Sequence, residues 1–449
     1  MAEYKKMTDC DIIDSKDPWK SDKLKRQKVA EDFTEIVKNI NNQPFVISID
    51  SAYGTGKTFF IKRWVEDLKN TGITTCYYNA WNTDYQTDPL VPFVNSIIKQ
   101  FPKDISDKLQ ENFENLIGVL KTASNFAIKC FTGRDNMVED SAKLAQQTVE
   151  FIQGVGRDFI ENNNQTIGVI DAFKVKLADE AQKRKIVICV DELERCRPTY
   201  AVELLEIIKH LFNVPNVIFV LSTDRQQLKH TIAKMYGENM DGDGYLRRFI
   251  DLELHLPDPD RDLFCSYIQE LYDIKNEKLG ARHVDGWNYF KEQFVFWAEI
   301  YKLSLREIEQ FWIEVSYLAH ILPEERRKIA PVLAWVLIVK SKDVNQFYNF
   351  KNNDLKSIRE YLSKTVPSKI SENNRCYETF MTNIELCTTS SEELYARYKA
   401  LNDLNEDPVA QTWYYMHLNN PIDDEEKTLS SYICNILSYI SPMPDPSMP

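Results

Sequence analysis

The octapeptide at residues 51–58, SAYGTGKT, carries residue types that bind a chain of phosphates. It matches the pattern GxxxxGK[ST] except at its first position, where Ser51 replaces glycine and could lack the backbone freedom that this position often uses. Its glycines let backbone amides face phosphate oxygens, Lys57 can neutralise the outer phosphates, and the Thr58 hydroxyl can ligate Mg²⁺. The residues expected at the phosphates are Ser51, Ala52, Tyr53, Gly54, Thr55, Gly56, Lys57, Thr58 and Phe59.

Two adjacent acids, Asp191 and Glu192, follow an apolar run at 186–190. One carboxylate at the end of such a strand can hold Mg²⁺, and its neighbour can orient or deprotonate an attacking water. We therefore predict that Asp191 and Thr58 ligate the metal and that Glu192 is the catalytic acid. The same pair could instead cap the next helix, but its presence in one chain with the phosphate loop favours catalysis.

Two further pairs are weaker candidates. Thr223 and Asp224 follow the apolar run 217–221 and could sense the outer phosphate or orient the water, although a helix cap or a turn explains either residue nearly as well. Arg247 and Arg248 could supply an arginine finger, usually from a neighbouring subunit, against the charge of the transition state. Most exposed arginines only solvate a surface, which is the alternative here.

Strand and helix patterns alternate around these residues. A β-branched run at 45–49 enters the phosphate loop and a helical stretch at 59–69 leaves it, which disfavours a ligand-free glycine turn. Further strands are expected at 74–78, 186–190 and 217–221. We predict an α/β fold, namely a P-loop NTPase parallel sheet covered by helices on both faces, with a helical insertion and a C-terminal all-helical region.

The chain is long enough for several domains. We predict an N-terminal helix, at about 20–40, with the first half of the core within 1–89. A helical insertion at 90–184 and the second half of the core at 185–259 follow, and a helical lid or recognition region occupies 260–449.

Composition disfavours several classes of protein. The formal charge of −13 means that binding to nucleic acid would need a local basic patch, so this class of partner stays uncertain. Nine cysteines without a CxxC spacing indicate reduced thiols rather than a zinc or redox site. The nearest candidate for a membrane span, 116–131, is interrupted by Lys121 and Lys129. We expect a cytoplasmic protein.

Taken together and in this order, the motifs resemble the KAP family of P-loop NTPases, a group within the additional-strand class that also contains the AAA+ and STAND ATPases. The matching stretches are SDKLKRQKVAEDF, SAYGTGKT, YYNAWNTD, VDELERC, VLSTDRQQL, YLRRFIDLELHLPDP and LSLREIEQF. The resemblance implies that Asn79 and Trp81 lie near the nucleotide, whereas residue chemistry alone favours Trp81 as a packing anchor. It also implies that Arg306 is a basic lid residue that contacts the phosphates, with a helix-surface arginine as the alternative. Many members carry membrane helices in the insertion, which is too polar here for that property to be carried over.

These predictions describe an ATPase with ATP and Mg²⁺ as its ligands. Hydrolysis would switch conformation or assembly, in a homo-oligomer or with a partner protein from the same operon. Resemblance to bacterial members implies a role in defence against phage. The alternatives are a nucleotide-gated scaffold with negligible turnover and a small-molecule kinase, which uses the same loop, whereas the lack of an NKxD element disfavours a GTPase.

Overall fold

The computed structural model describes residues 13–86, 88–110, 114, 171–237, 240–272, 274, 286–321, 330–371, 374–401, 407–417 and 428–440. These residues divide into two units, the first ending at Asp258 and the second beginning at Pro259. Most of the predicted insertion lies outside the described residues, and so does the stretch 116–131. Within the described ranges, no helix has the length and apolar character that crossing a membrane requires.

Five parallel strands form the sheet of the first unit. They are β1 Phe45–Asp50, β2 Thr74–Asn79, β3 Ile186–Asp191, β4 Val217–Thr223 and β5 Leu252–His255, and their order across the sheet is β2-β3-β4-β1-β5. Every residue of β3 and β4 is buried, which explains their uninterrupted apolar sequences. β4 therefore separates β1, which leads into the phosphate loop, from β3, which ends in the acidic pair.

Helices cover both faces of this sheet. They are α1 Gln27–Asn39, α2 Lys57–Asn70, α3 Leu90–Ile98, α4 Pro198–Leu211, α5 Arg225–Tyr236 and α6 Gly242–Leu246. One buried cluster contains residues of α1 and α2 together with Val187 and Cys189 of β3. A second cluster contains residues of the four helices α3, α4, α5 and α6 together with Ile188 and Val190 of the same strand. Successive strand side chains thus point to opposite faces, and the predicted two-sided covering is confirmed.

Two local features differ from the sequence predictions. β5 was not predicted, because its four residues, LELH, alternate between leucine and a polar residue and none of them is fully buried. It is held by parallel pairing with β1, which the local pattern cannot show. The first helix begins at Gln27 rather than near residue 20, because the Asp22 carboxylate accepts hydrogen bonds from the amides of Leu24 and Gln27 at 3.1 and 3.0 Å and so holds a turn.

All of the regular secondary structure described in the second unit is helical. Its helices are α7 Arg261–Leu271, α8 Gly286–Ile300, α9 Leu305–Ile321, α10 Ala330–Lys342, α11 Val344–Lys351, α12 Leu355–Thr365, α13 Ser368–Ser371, α14 Arg375–Thr388, α15 Ser391–Lys399, α16 Pro408–His417 and α17 Leu429–Ile440. Trp297, Trp312 and Trp335 are fully buried in its core. The tryptophans and phenylalanines at helical spacing in this part of the sequence therefore serve packing.

Candidate functional site

The phosphate loop connects β1 to α2. Gly54 and Gly56 have φ angles of 77° and 90°, a conformation in which a side chain would be strained. Ser51 is not among the positive-φ residues of the described chain, so serine in the first position of the motif needs no glycine-like backbone. Its Oγ lies 2.6 Å from Thr55 Oγ1, and this contact ties the start of the loop to its tip.

Lys57 begins α2 and its side chain is buried. Its Nζ donates to the carbonyl oxygens of Ser51 and Ala52 at 2.5 and 3.3 Å and lies 3.7 Å from Oε1 of Glu194. The ammonium group is thus folded back onto its own loop. Phosphate oxygens would offer it charged acceptors, which form stronger hydrogen bonds than neutral carbonyls.

The acidic pair lies at the same edge of the sheet as the loop. Asp191 is 1% exposed, and its carboxylate accepts hydrogen bonds from the Tyr77 hydroxyl at 3.0 Å and from the Glu192 amide at 3.1 Å. Glu192 has a φ of 63°, which is uncommon for a residue other than glycine. Its Oε1 accepts a hydrogen bond from the Thr58 hydroxyl at 3.1 Å. The structure therefore brings Thr58 into direct contact with Glu192, while Asp191 is oriented by Tyr77, a neighbour that the sequence analysis missed.

Two carboxyl groups of this turn have altered acidity. Burial raises the pKa of Glu192, and the adjacent Asp191 raises it further. Burial also raises the pKa of Glu194 to about 7, against the opposing influence of Lys57. Shifts of this kind are typical of groups that exchange protons during catalysis. The sequence analysis missed Glu194, although the stretch VDELER shows a second acid two residues after Glu192.

Arg195 connects three parts of the site. Its Nε forms an ion pair with Glu192, and its guanidinium carbon lies 4.9 Å from the ring centroid of Tyr53 and 5.3 Å from that of Trp81. Trp81 is 50% exposed, so the expectation of a packing anchor is wrong. Asn79 ends β2 opposite Asp191. A contact of Trp81 or Asn79 with nucleotide stays a prediction.

Thr223 and Asp224 lie where β4 passes into α5. Thr223 is buried, and its carbonyl oxygen accepts a hydrogen bond from the Ser51 amide at 3.3 Å. The Asp224 carboxylate caps α5 by accepting from the Gln227 amide at 3.2 Å, and it also accepts from the Tyr53 amide at 3.1 Å. Asp224 is therefore a helix cap, which was the alternative explanation for it, and the same side chain also holds the phosphate loop through the Tyr53 amide. Sensing of phosphate or orientation of water by either residue stays a prediction.

The predicted arginines lie on other elements. Arg247 and Arg248 follow α6 and are exposed, and Arg248 lines a cavity together with Phe45 and Val46, at the opposite end of β1 from the phosphate loop. A finger role for this pair would therefore have to act on another chain. Arg306 is exposed in the first turn of α9, in the second unit. Its role as a lid residue stays a prediction.

A phosphate loop after β1, an acidic pair that begins with the last residue of β3, and the additional strand β4 between β1 and β3 define the chain as a P-loop NTPase of the additional-strand class. The family model described as the KAP family P-loop domain matches residues 26–322, which is more than half of the chain. The chain therefore belongs to the KAP family of P-loop NTPases. No curated protein matches its sequence.

Several solved structures share distant similarity with the chain. The ORC2 protein of Aeropyrum pernix in its ADP form is 13% identical, with 76% of this chain and 75% of that chain covered and a TM-score of 0.33. AMPPCP-bound DnaA from Aquifex aeolicus is 13% identical, with 87% and 83% covered and a TM-score of 0.28. PCH-2 of C. elegans is 13% identical, with 80% and 68% covered and a TM-score of 0.25.

Proposed function

We propose that the chain binds and hydrolyses ATP at the phosphate loop and that turnover switches its conformation or assembly. The contact between Thr58 and Glu192 carries this proposal, because it joins the phosphate loop to the acidic pair across 134 residues of sequence. Membership in a family of P-loop NTPases supports it. The proposed place of action is the cytoplasm.

The loop provides the binding energy for a triphosphate. Gly54 and Gly56 allow its amides to face one ligand, and the N-terminus of α2 favours negative charge at the same place. Lys57 would exchange the carbonyls of Ser51 and Ala52 for phosphate oxygens. These groups act together on a polyphosphate, so we expect diphosphates and triphosphates to bind and nucleosides not to bind.

The donor set fits a magnesium ion. The Thr58 hydroxyl and the Asp191 carboxylate are the hard oxygen ligands that Mg²⁺ takes alongside substrate phosphates. Bound there, the ion would neutralise charge that develops on the phosphates. The Tyr77 hydroxyl holds the Asp191 carboxylate in one orientation, as neighbours of metal ligands commonly do.

Glu192 is the proposed general base. Its raised pKa makes it a better proton acceptor than an ordinary glutamate. A scaffold with negligible turnover would not need this second acid beside Asp191, so the acidic pair favours hydrolysis.

A small-molecule kinase would use the same loop, but it would transfer the phosphate to its acceptor. It would release free phosphate only when the acceptor is absent and water takes its place. An ATPase should therefore release phosphate at the same rate with and without an added small-molecule acceptor, whereas a kinase should release less when its acceptor is present.

The assembly proposal is tested with Glu192→Gln, which should retain ATP. We expect light scattering to show a larger particle in ATP than in ADP, because the retained nucleotide holds the chain in one state of the switch. Arg247→Ala or Arg248→Ala should reduce hydrolysis without unfolding if either arginine acts on a neighbouring chain. Arg184→Ala, which removes an exposed ion pair with Asp104, is the matched control. A single particle size in every nucleotide state would reject the switch in assembly and leave the ATPase proposal standing.

A role in defence against phage is the proposed cellular purpose, and it rests on the resemblance to bacterial members of the family. If ATP turnover drives defence, phages should form fewer plaques on lawns of cells carrying the wild-type chain than on lawns of cells carrying Lys57→Ala. Equal plaque numbers over a broad panel of phages would contradict this role.

A further inference from the structure

The short turn Leu193–Arg195, directly after the acidic pair, contacts both of the charged groups on which the proposed hydrolysis depends. Glu194 faces Lys57, and Arg195 forms an ion pair with Glu192. We propose that Glu194 and Arg195 form an electrostatic latch, which restrains Lys57 and Glu192 until a nucleoside triphosphate binds. This inference rests on the proposed ATPase and adds a means of regulating the same site.

The first half of the latch restrains Lys57. The side chains of Lys57 and Glu194 are only 9% and 6% exposed, so their interaction at 3.7 Å is weakly screened by solvent. Oε2 of Glu194 is buried and has no hydrogen-bond partner among the described residues, so the nearby cation compensates for the cost of burying this carboxylate. A triphosphate that takes Lys57 must separate the ion pair. It must also tolerate the negative charge of Glu194, and both effects oppose binding.

The second half of the latch restrains Glu192. One of its carboxylate oxygens accepts a hydrogen bond from Thr58 and the other pairs with Arg195. The carboxylate is thus held in place by two partners, and the ion pair with Arg195 occupies one side of it. Glu192 must leave Arg195 before it can catalyse hydrolysis.

Two aromatic rings hold Arg195 against Glu192. Trp81 follows β2, and Tyr53 belongs to the phosphate loop itself. Cation–π contacts at partly exposed positions are weak, so they favour one position of the guanidinium group without fixing it. Because Tyr53 lies in the loop that receives phosphate, a movement of the loop on binding changes a contact of Arg195. The stack thus links occupancy of the loop to release of Glu192.

The affinity of the chain for ATP tests the first half. Glu194→Gln keeps the shape of the side chain and removes its charge. We expect it to bind ATP about tenfold more tightly by calorimetry, because one unfavourable charge in the phosphate site is lost. The titration is run at pH 8, where Glu194, with its pKa of about 7, is mostly ionised in the wild type. Glu66→Gln, which removes a partly exposed partner of Lys69, is the matched control and should leave affinity unchanged.

The contradicting result is equally specific. A residue that only supported the fold would weaken binding or lower stability when replaced, and it would not tighten binding. Unchanged or weaker ATP affinity of folded Glu194→Gln would therefore overturn the first half of the latch.

Turnover tests the second half. Arg195→Gln should raise the rate of hydrolysis at saturating ATP by about fivefold or more, with KM changed less than about threefold, because Glu192 is no longer paired with a cation. Arg195→Lys keeps the charge but loses the planar group that contacts the two rings, so its rate should lie between those of the wild type and Arg195→Gln. Arg184→Gln is the surface control, since that residue pairs with Asp104. A lower rate in Arg195→Gln would overturn the latch and assign Arg195 a positive role in catalysis.

Failure of the proposed function is distinguishable from failure of the latch. If the wild type and all variants bind ATP but none releases phosphate, the ATPase proposal is wrong. The tighter binding expected of Glu194→Gln needs no hydrolysis, so it still decides whether Glu194 restrains Lys57.

Discussion

Lys57→Ala should abolish detectable ATP binding. The variant removes the cation that neutralises the outer phosphates at the centre of the loop. A hydrogen bond to a charged group is worth roughly 1.5–3 kcal/mol, and Lys57 can donate more than one to the phosphates. We therefore expect calorimetry with Mg-ATP to show affinity lowered by at least about a hundredfold.

Two comparisons make this experiment decisive. Lys69→Ala removes an exposed lysine of the same helix, α2, and should bind ATP like the wild type. Lys57→Ala also leaves Glu194 buried beside a missing cation, so the double variant Lys57→Ala/Glu194→Gln checks that lost binding does not come from an unpaired charge. Wild-type affinity in folded Lys57→Ala would reject the phosphate loop as the nucleotide site.

Glu192→Gln should lose turnover and keep nucleotide. The amide has almost the shape of the carboxylate but cannot take up a proton from water. General-base catalysis typically contributes about 10²–10⁴-fold, so hydrolysis should fall by at least roughly a hundredfold while ATP affinity changes by less than about threefold. Steady-state phosphate release and calorimetry on the same preparation measure both quantities.

The outcome of this variant also decides between two acids of the same turn. Glu194 is buried close to Lys57, and burial raises its pKa to about 7. If Glu192→Gln hydrolyses ATP at the wild-type rate, Glu192 is not the base and Glu194 becomes the candidate. If Glu192→Gln is inactive and Glu194→Gln still hydrolyses ATP, the assignment of Glu192 as the general base stands.

Much of the sheet could be predicted because buried parallel strands are apolar throughout. The strands expected at 186–190 and 217–221 are observed as Ile186–Asp191 and Val217–Thr223. β5 escaped prediction because it is short, lies at an edge and alternates with polar residues. Its position depends on pairing with β1, and local sequence carries no record of such a partner.

The candidate site, like the sheet, could be predicted only in part from the sequence. The phosphate loop and the acidic pair are contiguous motifs whose chemistry follows from residue type and spacing, so Lys57, Thr58, Asp191 and Glu192 could be chosen from the sequence. Their partners could not. Tyr77 reaches Asp191 because β2 and β3 are neighbours in the sheet. Arg195 meets Tyr53 and Trp81 only after three separate segments have come together at one edge. The acids of the turn are local, but what they contact is decided by the fold.

Release of phosphate from ATP by the wild-type chain, measured beside Glu192→Gln, tests the central claim most directly. We expect release in proportion to the amount of wild-type protein, loss of this release when EDTA removes Mg²⁺, and a rate at least about a hundredfold lower in Glu192→Gln. ATP bound by both proteins, with no release by the wild type above that of a protein-free sample, would contradict the claim that this chain is an ATPase.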